Sequence, residues 1–104
     1  MSNHEQIVAA VTKAAADNGK LIETGFDALR ELAIAPDAPQ IQVDEMRLAY
    51  MAGAQHLWAS IMNILDPGEG ETPGDMMRMA KIQAELDTWH QALELRLGKT
   101  KGAG

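Results

Sequence analysis

The side chains in this 104-residue chain that could do chemistry are few and widely spaced. His56 lies in the uncharged stretch 48–65, LAYMAGAQHLWASIMNIL, where Ser60 and Asn63 are the polar side chains that helical spacing could bring toward it. A general base needs a partner that orients it, and these two offer no carboxylate, so His56 is read as an exposed or hydrogen-bonded histidine. Asp87 and His90 have the three-residue spacing of carboxylate–histidine metal sites in helical bundles. Those sites need two such motifs and two further carboxylates, and there is no second copy here, so no metal is expected. Glu69, Glu71 and Asp75 form an acidic cluster in a glycine-rich loop. Their spacing lacks the alternating oxygen ligands and closing Glu of a calcium loop. No glycine-rich phosphate loop with the full spacing of that motif is present, and no Ser-His-Asp order stands out. No catalytic residue and no cofactor is expected, and the chain reads as non-enzymatic.

What remains is contact chemistry. Trp58, with Met51 and Met62, lies at the edge of an apolar arc, and tryptophan and methionine are enriched in tight interfaces. Glu69, Glu71 and Asp75 would suit a basic partner surface, with solvated loop charge as the plainer alternative. Asn18, Gln83 and His90 fall on apolar seams and are expected to form a buried polar layer, which can fix register or oligomeric state. A histidine buried in this way would make stability depend on pH.

Positioning these residues calls for helices. Ile7, Val11, Ala14, Asn18, Leu21, Gly25, Leu29 and Leu32 recur at three- and four-residue steps, which predicts a helix over about 3–33. Ser2 and Glu5 have capping-box spacing at its start. Asp17-Asn18-Gly19 is a turn signal inside that run, so two shorter helices are the alternative. Pro36 and Pro39 mark a linker. A second helix is predicted over about 41–65, stopped by Asp66-Pro67-Gly68. Its apolar arc covers about half its circumference, and the rest is small and weakly polar. A third is predicted over about 73–97, with Thr72 as cap, Pro73 at the first helical position and Gly98 as stop. Met76, Met79, Ile82, Leu86, Trp89, Leu93 and Leu97 make its stripe. Residues 99–104 are expected to be a disordered tail.

These elements imply one all-α domain over 1–98, a three-helix bundle with a long first helix, completed by homodimerisation. The reason for a dimer is supply: two of the helices carry more apolar surface than a bundle of this size readily buries. Only Phe26, Tyr50, Trp58 and Trp89 are aromatic, and seven methionines fill volume without sharply defining it.

The net charge is −6. Residues 36–75 hold seven acids against one base, Arg47, while residues 76–104 hold three acids against five bases. Clustered Lys and Arg that could track phosphates are missing, so direct nucleic-acid binding is not expected. The absence of cysteine fits a reducing cytoplasm and rules out thiolate chemistry. Residues 48–65 fall short of a membrane span, and MSNHEQIV lacks the basic-then-apolar order of a secretory signal.

One segment adds context. Glu45 to Leu57, EMRLAYMAGAQHL, followed by Ser60-Ile61-Met62 and Leu65-Asp66-Pro67-Gly68, resembles small helical proteins of proteobacterial phages and prophages. That family has no established activity, so the resemblance implies no functional residue. It implies an accessory protein that binds a host or phage protein, with inhibitors of bacterial defence systems as one such class. A structural dimer and a small ligand-binding bundle using His90 and Asp87 are the alternatives.

Overall fold

A computed structural model describes residues 2–103, with side chains described as far as Gly98. Among the described residues the fold is all-helical, with four helices and no strand: α1 (Asn3–Asp17), α2 (Leu21–Ala33), α3 (Gln40–Ile64) and α4 (Pro73–Ala103). The chain divides into two compact units, Met1–Ala59 and Ser60–Gly104, where the sequence suggests one domain.

In the first unit, Ser2 caps α1 by accepting a hydrogen bond from the Glu5 backbone N–H at 3.1 Å. The long first helix does not form. Gly19 takes φ +70°, the Gly19 N–H donates to the Ala16 carbonyl at 3.0 Å, and the Lys20 N–H donates to the Ala15 carbonyl at 2.8 Å. These paired bonds are the Schellman arrangement, in which a left-handed glycine lets the chain turn back on its last carbonyls. The turn signal at Asp17-Asn18-Gly19 therefore prevails over the continuous apolar phase. Apolar residues on either side of the turn, Ile7 and Val11 from α1 and Leu21 and Ile22 from α2, line one shared groove.

The core of this unit is small. Phe26, Ile34 and Val43 are buried, and Leu29, Ala38, Met46, Tyr50 and Met51 pack against them. The Tyr50 ring lies 5.6 Å from Phe26 at a tilt of 58°, and the Arg47 guanidinium sits 5.7 Å above the Phe26 ring. Gly25 makes the tyrosine's position possible, because a Cβ there would overlap the Tyr50 hydroxyl. The linker turns through an Ala38 N–H to Ala35 carbonyl bond of 3.0 Å, bringing Ile34 and Val43 onto Phe26.

In the second unit, the loop from α3 to α4 is closed by polar groups. Thr72 and Asp75 form a reciprocal capping box: the Asp75 N–H donates to Thr72 Oγ1 at 3.0 Å, and the Thr72 N–H donates to Asp75 Oδ2 at 3.4 Å. α4 then runs through Gly98 to Ala103, past the expected stop. Gly98 keeps an ordinary negative φ, and a glycine inside a helix costs about 1 kcal/mol without breaking it. The expected tail over 99–104 is thus helical in its backbone to residue 103, and Gly104 lies outside the described residues. Among the described residues no helix is long and apolar enough to cross a membrane.

Candidate functional site

The first unit carries an open groove of about 460 Å³. Leu21, Ile22 and Glu23 from the start of α2 and Arg47, Met51 and Trp58 from α3 line it. The positions are dictated by local structure. The Gly19 turn starts α2 at Leu21, which places an Ile-Leu pair at the mouth of the turn. On α3, Arg47, Met51 and Trp58 lie four and seven residues apart, so they share one face. Arg47 pairs with Glu23 across the groove, and the same guanidinium covers Phe26, tying the rim to the core.

Trp58 is 63% exposed, and Leu21 and Ile22 are also exposed. Met51 is half-buried, because it packs against the core as well as lining the groove. An apolar wall with a charged rim is the makeup of a protein-binding surface, in which a central aromatic carries much of the affinity. A second apolar groove in this unit runs along Ile7, Val11, Ile22, Gly25 and Tyr50.

No protein-family model, no curated protein and no solved structure matches this chain. The chemistry must therefore be read from the residues alone.

The other sequence candidates fall elsewhere. Met62 is exposed on α3 in the second unit. Glu69 and Glu71 are exposed, as charges in a solvated loop should be. Asp75 departs from the expected acidic contact cluster: it is only 7% exposed, and its carboxylate is taken up inside the joint. Oδ1 accepts from the Asp66 backbone N–H at 2.8 Å and from Arg78 at 3.3 Å. Asp66 completes the joint, accepting from the Thr72 hydroxyl at 2.5 Å and from Arg78 at 3.1 Å. The Thr72 hydroxyl does most to hold the Asp66 carboxyl below its ordinary value; desolvation opposes it, and the charge and hydrogen bond of Arg78 add to the lowering. With every group partnered, the cluster acts as a structural clasp.

The expected buried polar layer is absent from the single chain. Asn18, Gln83 and His90 are all exposed. Asn18 is the C-cap of α1, beside the turn glycine, so it sits at a helix end where the reading placed it in mid-seam. Gln83 donates to Asp87 at 2.9 Å, and His90 Nε2 lies 3.0 Å from Glu94 Oε1. Asp87 and His90 thus turn to different partners along α4. His56 is exposed as well. Among the described residues, no three His, Cys, Asp or Glu side chains come together as a metal site.

The sequence reading missed Leu21, Ile22, Glu23 and Arg47. Two signals pointed to them. Arg47 is the one base in the acidic segment 36–75, and Leu21-Ile22 directly follows a turn signal, where exposed apolar residues are out of place on a simple surface.

Proposed function

We propose that this protein is a non-enzymatic helical binding protein that grips a protein partner at the Trp58 groove and works as a homodimer. The observation that carries the reading is the exposure of Trp58 at 63% beside an apolar wall. A tryptophan left in water on a small protein is costly unless something covers it, and few residue types contribute more to an interface when covered. Homodimerisation is proposed for a related reason. Large apolar side chains stay exposed along α1, α3 and α4, while the buried hydrophobic residues are only Phe26, Ile34 and Val43 among the described residues. Exposure on this scale marks association surfaces.

The likeness of Glu45–Gly68 to phage and prophage proteins sets the context for this proposal. The partner would be a host or phage protein met in the host cytoplasm, and an inhibitor of a defence system is one function of this kind. Arg47 and Glu23 at the rim would give the groove its orientation preference, since rim charges steer encounter more than they add affinity.

The test is capture by the tagged full-length chain compared with its Trp58→Ala variant. A protein captured by the wild type should bind the variant at least about tenfold more weakly, with helicity unchanged by circular dichroism. Equal capture by the variant would remove the groove from the reading. Light scattering on the same samples should give twice the chain mass, and a monomer at high concentration would remove the dimer.

A further inference from the structure

We propose that α4 is the self-association element, and that it pairs with α4 of a second copy in parallel and in register. This rests on the homodimer reading and names the face that makes the dimer.

The apolar residues of α4 follow a stricter rule than a general helical stripe. Met79, Ile82, Leu86, Trp89 and Leu93 are spaced three, four, three and four residues apart. That alternation defines heptad positions a, d, a, d and a, the seam of a left-handed coiled coil. The seam has clear ends: the preceding d position is Asp75, held in the capping joint, and the following d position is Arg96. The seam is also uncovered. Met79, Leu86 and Trp89 are exposed, and Ile82 and Leu93 are only half-buried. Every residue from Gln83 to Ala92 is exposed.

The flanks identify the occupant. With Met79 at a, the g positions are Arg78 and Glu85, and the e positions are Gln83 and His90. In a parallel pair each g residue meets the e residue five positions further along the other chain. Glu85 then faces His90 of the second copy, whose ring N–H can donate to the carboxylate. Arg78 faces Gln83, whose amide oxygen accepts. No like charges meet at these flanking positions, and the seam ends before Arg96, which would meet its own copy. In an antiparallel pair g flanks g and e flanks e, so Glu85 no longer meets His90 of the second copy and that pairing is lost. The edge charges therefore fit a second copy of this chain, and in one orientation.

The chain has no cysteine, so single cysteines report directly on orientation. Met79 and Leu93 are about 21 Å apart along the helix. In the full-length protein, Met79→Cys and Leu93→Cys should each give disulfide-linked dimers under mild oxidation, because in a parallel pair each residue meets itself. A disulfide only when the two variants are mixed would show an antiparallel pair and overturn the proposal. A dimer mass by light scattering with no disulfide at either site would place the dimer on another face, overturning this proposal while leaving the dimer reading intact. A monomer mass would overturn both. Glu85→Lys should weaken the dimer about fivefold by sedimentation, and adding His90→Glu should restore it. An unchanged dimer in Glu85→Lys would remove the edge argument.

Discussion

Beyond the Gly19 turn, the chain changes direction at two further joints, and they are held by opposite means. From α2 to α3 the turn is held by oil: Phe26, Ile34 and Val43 are buried, and prolines stiffen the linker. From α3 to α4 it is held by charge and hydrogen bonds: Asp66, Thr72, Asp75 and Arg78 close the loop. Apolar packing has no titrating group, whereas a carboxylate clasp near the surface depends on pH and is screened by salt. A protein with so small a core has one joint that resists its surroundings and one that registers them.

The sharpest way to break this contrast is Phe26→Ala. Phe26 is 3% exposed and carries both the Tyr50 ring and the Arg47 guanidinium. Its truncation should cost about 3 kcal/mol or more of the stability of the first unit, measured by urea melts. Hydrogen exchange at the first turn of α4 should stay as it was. Equal loss of protection there would mean that the two turns melt as one structure, and the contrast would fail.

Thr72→Ala comes next. It removes the acceptor for the Asp75 N–H and the donor to Asp66. The expected cost is about 1 kcal/mol, confined to the amides that follow Thr72 in α4. If exchange rises instead around Phe26, the clasp supports more than its own loop.

The smallest effect, and the one that most directly tests the charged joint, is with acid. Asp66 titrates below its ordinary value of 3.8 in the folded chain. A depressed carboxyl contributes its stabilisation in full above that ordinary value and loses it as pH falls through the lower, folded value. Protection of the α4 first turn should therefore fall below about pH 4, and Asp66→Asn should flatten that fall. The α2–α3 turn should show no such step in the same window.

How much of this could be read in advance follows the same division. The ends of the α3–α4 loop were legible because their signals are local: Thr72 and Pro73 stand where a helix cap and first turn require them, and the Asp66-Pro67-Gly68 stop precedes them; the clasp that joins them was not. The break at Gly19 was written locally too, but a continuous apolar phase argued the other way, and period alone cannot show whether a helix continues or restarts. Burial was the least legible property. Asn18, Gln83 and His90 sit on apolar stripes, yet a stripe specifies which face would be covered, not whether a partner arrives. Asp75 erred in the other direction, because the arginine and the backbone amide that bury its carboxylate come from a separate turn of helix and from nine residues upstream. The Trp58 groove depended on α2 and α3 coming together, a long-range contact with no short-range signature beyond the isolated Arg47.

The seat of Tyr50 on Gly25 has a bearing on how this sequence can change. The phenol tip occupies the space that any larger residue at position 25 would need. A methyl group at position 25 makes the Tyr50 ring tip move, unless position 50 has already given up its hydroxyl. The order of substitutions therefore matters as well as their identity: the two sites drift as a pair, and one of the two single-step routes between their combinations carries the cost of that shift.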